Sequence, residues 1–398
     1  MLYQTKARRW TAVLLSVLLL AALFSGCKKK NNTTPTETQA AVSDVTEIDS
    51  YTVKDLSGDD SRLDDVVASC AGRELTNRQL PIYYWMQFIS VMNRYGTYLT
   101  IDTTKPFYQQ ESPQADMNWE QLFLRSAVEQ FQTYAAVASA AEADGFRLTE
   151  ELEKQLSDTL ESIDQEASNR GYASADEYLQ ASFGVSVHKQ DYEAYLRIFY
   201  LAMSYEEEMY QRMDKACTEA DVDAYYESHK ENYVTLTEGT KCIDVRHILI
   251  MPSDVEGETD EEKSANAKAR AEELYAEYLE DPTEEHFAAM ATEHSSDTGS
   301  AENGGLYQNV LEGRMVESFN DWCFAEERKP GDTDIVETNY GYHIMYFVGA
   351  NDYLQMTARE DYLEERMNTW MTELIEANPL TVDYSKAVLG EVNLSAAE

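Results

Sequence analysis

The chain has 398 residues, 43% of them hydrophobic, with 17 Gly and 8 Pro, which is enough apolar material for two or three folded domains. Its formal charge of −41, from 73 acidic against 32 basic side chains, argues against nucleic acid as a partner and against peripheral binding to anionic lipid. Cationic or partly unfolded protein clients remain compatible with that surface. Tyrosines (27) outnumber phenylalanines (12) more than twofold, which points to helices with many half-exposed aromatic positions.

Residues 1–9 carry Lys6, Arg8 and Arg9, residues 10–24 are apolar, and Ser25-Gly26-Cys27 follows. A basic start, a short apolar core and small residues before a cut mark a secretory signal; the apolar run is shorter than the roughly 20 residues a membrane span needs. Leu23-Phe24-Ser25-Gly26-Cys27 resembles a bacterial lipobox, which implies acylation of Cys27 and a lipid anchor on the outer face of the cytoplasmic membrane. An ordinary signal peptide or an uncleaved anchor helix is the alternative, and each puts the remainder outside the cytoplasm. Residues 28–63 are polar without helical or strand period and read as a tether. Beyond Cys27 stand Cys70, Cys217, Cys242 and Cys323, which permit one or two disulfides or buried thiols. The spacing of His and Cys matches no zinc site, so no metal is expected.

Residues 64–235 read as a helical body. Residues 66–76 form a strand, a turn at Ala71-Gly72 and a short return, after which Thr76 or Asn77 caps a helix. A strong amphipathic helix covers 118–143, with Gly145 beyond it, and a second runs from Thr149 to about residue 169, with Gly171 as its stop. A short helix at 174–183 and a long one at 187–213 with a Tyr-rich face follow, and Thr218 opens another that ends near Asn232. His188 and His229 read as surface or capping residues. The aromatic stripes read as core, some of them lining an apolar cleft.

Residues 241–350 hold the ordered motifs. The apolar strand CIDVRHILIM contains Arg246 and His247, and the second strand, YGYHIMYFVG, contains His343. Between them lie HFAAMATEHSSDTGSAENGG, with Asp297, and GRMVESF, with Met315 and Phe319. Strands and helices in this order predict a small α+β domain around one site. Residues 351–398 begin with an apolar-faced helix at 353–377, stopped by Asn378-Pro379, which needs a partner and is expected to pack on the helical body.

This layout resembles the extracytoplasmic foldases of the PrsA and SurA type. In those, a helical chaperone domain is interrupted by a parvulin-type peptidyl-prolyl isomerase domain, and a C-terminal helix returns to the chaperone body. The resemblance implies an α+β chain: a discontinuous helical chaperone-like domain with an inserted parvulin-like domain at 241–350. VRHILI is similar to the family's first strand, placing His247 at its first active-site histidine. Asp297 falls where an Asp or Cys faces the substrate amide, and ETNYGYHIMYF places Thr338 and His343 at the remaining polar positions. GRMVESF places Met315 and Phe319 at the proline pocket, with Leu306 beside them and Tyr340 at a position where small residues are familiar. The family's Gly-Gly-Asp-Leu-Gly is here Asn303-Gly304-Gly305-Leu306-Tyr307, a change that sets Tyr307 to narrow the pocket. The activity implied is cis/trans isomerisation of Xaa–Pro bonds in unfolded exported proteins, without a cofactor. A holdase whose parvulin-like module only binds peptides is the alternative.

Overall fold

The computed structural model describes residues 48–53, 61–95, 99, 101–114, 116–184, 186–234, 236 and 239–390. The signal segment, Cys27 and most of the 28–63 tether lie outside the described residues. The chain divides into two units, Met1–Lys215 with Arg366–Glu398, and Ala216–Glu365. No helix among the described residues is long and apolar enough to cross a membrane.

The first unit opens on a hairpin of β1 (Val66–Cys70) and β2 (Arg73–Thr76). Ala71 and Gly72 both take positive φ, 51° and 73°, the two-residue turn whose twist matches the strands it joins. Helices α1 (Leu80–Tyr95), α2 (Trp119–Ala143), α3 (Glu150–Asn169), α4 (Ala175–Phe183) and α5 (Lys189–Ala216) follow. Asn118 and Gln121 close a reciprocal capping box on α2, and the Thr149 and Ser174 hydroxyls accept from the first turns of α3 and α4. The core is aromatic. Tyr195 stacks on Phe199 with centroids 6.2 Å apart, and Tyr83 meets Tyr195 edge-on at 4.9 Å.

Asn77, expected as a helix cap, does something else, because α1 begins three residues later. Its side chain is 1% exposed, donates to the carbonyls of Arg62 and Lys386, and accepts from the Val388 N–H, each at 2.9 Å. It thus ties the C-terminal tail to the hairpin region. Thr381–Val382 complements this by pairing antiparallel with β1.

The second unit contains α6 (Glu219–Ser228), β3 (Lys241–Ile250), α7 (Asp260–Tyr278), α8 (Glu284–His294), β4 (Leu306–Leu311), α9 (Glu317–Cys323), β5 (Thr333–Thr338), β6 (Gly341–Asp352) and the first half of α10 (Tyr353–Ala377). Its four strands form an antiparallel sheet in the order β4-β3-β6-β5. The central strands β3 and β6 are covered on both faces, which is why they read as nearly continuous apolar runs. Ile248, Ile250, Tyr342 and Ile344 cluster with residues of α7 and α8. Ile243, Val245, Met345 and Phe347 cluster with Phe319, Trp322 and Cys323 of α9.

Two expected boundaries shift. The sequence places α6 in a helical body ending at 235 and packs the C-terminal helix on that body. Instead Val222 and Tyr233 cluster with Leu354 and Ala358 of α10, and the Tyr233 hydroxyl donates to Asp361 Oδ2 at 2.7 Å. Helix α6 and the first half of α10 therefore bury each other's apolar faces inside the second unit. Trp370, Met371, Leu374 and Ile375 belong to the first unit's core.

Asn77→Ala removes three buried hydrogen bonds at once and leaves two carbonyls and one N–H without them. Denaturant unfolding should show a loss of about 2–4 kcal/mol, with no change in the helical circular dichroism of the folded state.

Candidate active site

Alternation along β3 sets His247 on the same face as Val245, toward α9, and Arg246 on the opposite face. On β6 the same rule puts His343 with Met345 and Phe347. In the β3–β6 ladder His247 pairs with Met345 and Leu249 with His343, so the two histidines are diagonal neighbours. Their Nδ1 atoms meet at 3.1 Å, and their side chains are 2% and 5% exposed.

The histidine pair is the centre of a longer polar chain. His343 Nε2 contacts Thr338 Oγ1 at 2.8 Å, and that hydroxyl oxygen also accepts the Tyr340 N–H at 3.1 Å. At the other end His247 Nε2 lies 3.0 Å from Asp297 Oδ2. The Ser300 and Tyr307 hydroxyls donate to the same Oδ2, the latter at 2.7 Å, while Oδ1 accepts the Gly299 N–H at 3.2 Å.

The loop carrying Asp297 is fastened on both sides. Next to it, the Leu249 N–H donates to Ser295 Oγ and the Ser296 N–H donates to the Leu249 carbonyl. Further on, buried Arg246 donates from Nε to Glu284 and from Nη1 to the carbonyls of Asn303 and Gly304, each at 3.0 Å. Gly304 and Gly305 have φ of 65° and 70°, and a Cβ on Gly305 would sit 2.2 Å from the His247 carbonyl oxygen. Only glycine lets this turn lie so close to the strand.

The apolar wall is Phe319, 2% exposed, whose ring stands edge-on to both imidazoles with centroids 5.4 Å away. Half-buried Met315 and Tyr307 pack on the same cluster. The His247 and Tyr307 rings lie 4.7 Å apart.

Protonation follows from these contacts. A carboxylate only accepts, so His247 carries its proton on Nε2. The His247 bond, aided by the two hydroxyls, holds the Asp297 carboxyl well below the usual carboxylate range. Burial pushes His343 down to about 3, helped by the neighbouring His247 and opposed by the Asp297 charge. Burial, and then the Asp297 anion, push the Tyr307 phenol up. His247 Nδ1 then accepts the His343 Nδ1–H, and His343 Nε2 accepts the Thr338 hydroxyl.

Of the residues singled out in the sequence, His247, Asp297, Thr338, His343, Met315 and Phe319 come together here. Leu306 does not belong with them. It pairs with Arg246 across the ladder and lies outside the cluster that holds Phe319, whereas Tyr307 pairs with Val245 and faces the histidines. Tyr340 is 56% exposed at the β5–β6 turn and reaches the chain only through its backbone N–H. Ser300 and Arg246 were not assigned from sequence; the Asp-Thr-Gly-Ser spacing that folds Ser300 back onto Asp297 was the available signal for the first. Among the described residues no group of three or more His, Cys, Asp and Glu is arranged to hold a metal ion.

Residues 231–349 match the PPIC-type PPIase domain. Foldase protein PrsA of Caldanaerobacter subterraneus subsp. tengcongensis is 25% identical over 274 residues, covering 64% of this chain and 78% of that protein. Foldase protein PrsA of Staphylococcus aureus is 32% identical over 154 residues, covering 37% of this chain and 44% of its own length. This chain thus spans most of the first relative and less than half of the second. The crystal structure of PrsA from Bacillus subtilis aligns over 68% of this chain and 92% of its own, with 19% identity and a TM-score of 0.31.

The depressed His343 makes the fold sensitive to acid. Its folded value of about 3 lies below the unfolded value near 6.5, so the unfolded chain binds the extra proton and stability falls as pH drops from about 6.5 toward 3. Asp297 acts in the same direction, but only below its ordinary range near pH 4. Between about pH 6.5 and pH 4.5 wild type should therefore lose up to roughly 3 kcal/mol more than His343→Gln, as read by denaturant unfolding at each pH.

Proposed function

We propose that this chain, whose residues 231–349 constitute a parvulin-type peptidyl-prolyl isomerase domain, is an extracytoplasmic foldase that turns Xaa–Pro bonds in partly unfolded exported proteins. The observation that carries the reading is the buried His247–His343 pair lying edge-on to Phe319, with Asp297 at its open end. That the similar proteins are foldases supports it.

The chemistry needs little from the protein. Rotation about an Xaa–Pro bond faces a barrier near ~20 kcal/mol because amide resonance is lost on twisting. In the twisted state charge leaves the carbonyl oxygen and the nitrogen lone pair localises, so a dry apolar pocket favours that state over the planar amide. Phe319 and Met315 grip the proline ring, and Tyr307 takes the place first given to Leu306. His247, His343 and Thr338 hold the wall rigid, and Asp297 supplies a fixed negative charge at its edge. No bond to the substrate forms.

The basic, apolar and small-residue order of residues 1–27 supports an exported chain, lipid-anchored through Cys27 to the outer face of the cytoplasmic membrane. The half-buried aromatic residues of α5, among them Tyr192, Phe199 and Tyr200, support a client-holding role for the first unit. The strongly acidic surface suits cationic unfolded segments rather than nucleic acid.

Proline-limited refolding of a model substrate tests the enzyme reading with the full chain. Wild type should raise the slow-phase rate, while Met315→Ala should lower kcat/KM about tenfold or more at unchanged fold, and His247→Ala should lower it at least as much and destabilise the domain as well. If wild type leaves the slow phase unaltered but suppresses aggregation of the unfolded substrate, the holdase alternative replaces it. If neither readout responds, both fail.

A further inference from the structure

Resting on the isomerase reading, we infer that Tyr307 is a positioning residue of this site, holding the Asp297 carboxylate in one orientation through its hydroxyl while its ring serves as a pocket wall. Two observations carry this. The hydroxyl donates to Asp297 Oδ2 at 2.7 Å, and the ring packs 4.7 Å from His247 and 6.4 Å from Phe319. One side chain thus touches the polar chain and the apolar wall together. A leucine at this place would supply the wall and no donor.

The donor count shows what the hydroxyl adds. Oδ2 takes His247 Nε2, Ser300 Oγ and Tyr307 Oη, and these three donors hold it inward. Oδ1 accepts the Gly299 N–H at 3.2 Å, so it is the oxygen with capacity left for a substrate N–H. The Asp297 side chain keeps 19% exposure, enough to be reached from the pocket. Without Tyr307 the carboxylate keeps two donors on Oδ2 and gains freedom to rotate about its Cβ–Cγ bond. Burial, and then the Asp297 anion, suppress ionisation of the phenol, so it remains a donor throughout the neutral range.

Tyr307→Phe keeps the ring and removes only the donor. In the full chain, with isomerisation of Xaa–Pro peptides followed by NMR exchange from about pH 4 to pH 8, it should lower kcat about tenfold and leave KM within about twofold. Loss of one of several donors leaves the Asp297 carboxyl below that pH range, so the fall in kcat should be the same across it. Tyr307→Leu, which also removes the ring, should raise KM as well. A purely space-filling role would leave Tyr307→Phe with wild-type kcat, and that result overturns the inference. A wild-type chain that does not isomerise overturns the proposed function instead. The two failures are separable because the carboxyl-carbon NMR shift of Asp297 at neutral pH needs no turnover: an unchanged shift in Tyr307→Phe rejects the positioning role in either case.

Discussion

The second unit is organised around a hydrogen bond between two imidazoles that water does not reach. His247 and His343 sit on adjacent central strands, 2% and 5% exposed, and their Nδ1 atoms share one proton across 3.1 Å. Burying two such rings is unfavourable unless every nitrogen finds a partner, and here every nitrogen does, through Thr338 at one end and Asp297 at the other. That requirement propagates outward. Asp297 must approach a strand closely, so its loop is bolted to Leu249 on one side and closed by a glycine pair on the other. Arg246, pointing the opposite way from the same strand, holds that glycine turn against α8.

Much of this was legible in the residues, and the failures have definite causes. His247, Asp297, Met315, Phe319, Thr338 and His343 were readable because each stands in a short motif with fixed spacing. Leu306 was misplaced because strand parity cannot be counted through an irregular stretch. Asn309 has φ of 55°, its N–H donates to Asp244, and the register shifts there, so Tyr307 and Val310 share a face despite odd spacing. Asn77 looked like a cap because cap and buried tether use the same amide, and only the returning tail, more than 300 positions away, distinguishes them. The boundary near 235 was placed where one helical pattern stops and a strand pattern begins. Composition does not show that α6 buries its Val222 against Leu354 and Ala358 rather than against the preceding helices.

Cysteine use fits the same packing logic. None of Cys70, Cys217, Cys242 and Cys323 is in a disulfide. Burial pushes the Cys70 thiol up to about 11 and the Cys323 thiol up to about 12. A thiol that far above neutrality holds almost no thiolate, the species that attacks disulfides, so these two are chemically quiet even in an oxidising compartment. They act as small apolar side chains, Cys323 between Trp322 and Phe324 in the cluster that backs the site.

The same saturation that stabilises the site narrows what it can do. A general base or nucleophile needs an oxygen with a free lone pair and a carboxyl group whose affinity for protons lies near the working pH. Asp297 keeps capacity on Oδ1 but carries three donors on Oδ2 and is held well below the carboxylate range, so it does not accept a proton readily near neutral pH. His343 is held neutral near physiological pH and is sealed between Thr338 and His247. What survives is a rigid apolar cradle with a fixed charge at its edge. Such a surface is poorly matched to making or breaking bonds and agrees with the proposed isomerisation, where the work consists of favouring one torsion of an amide over another.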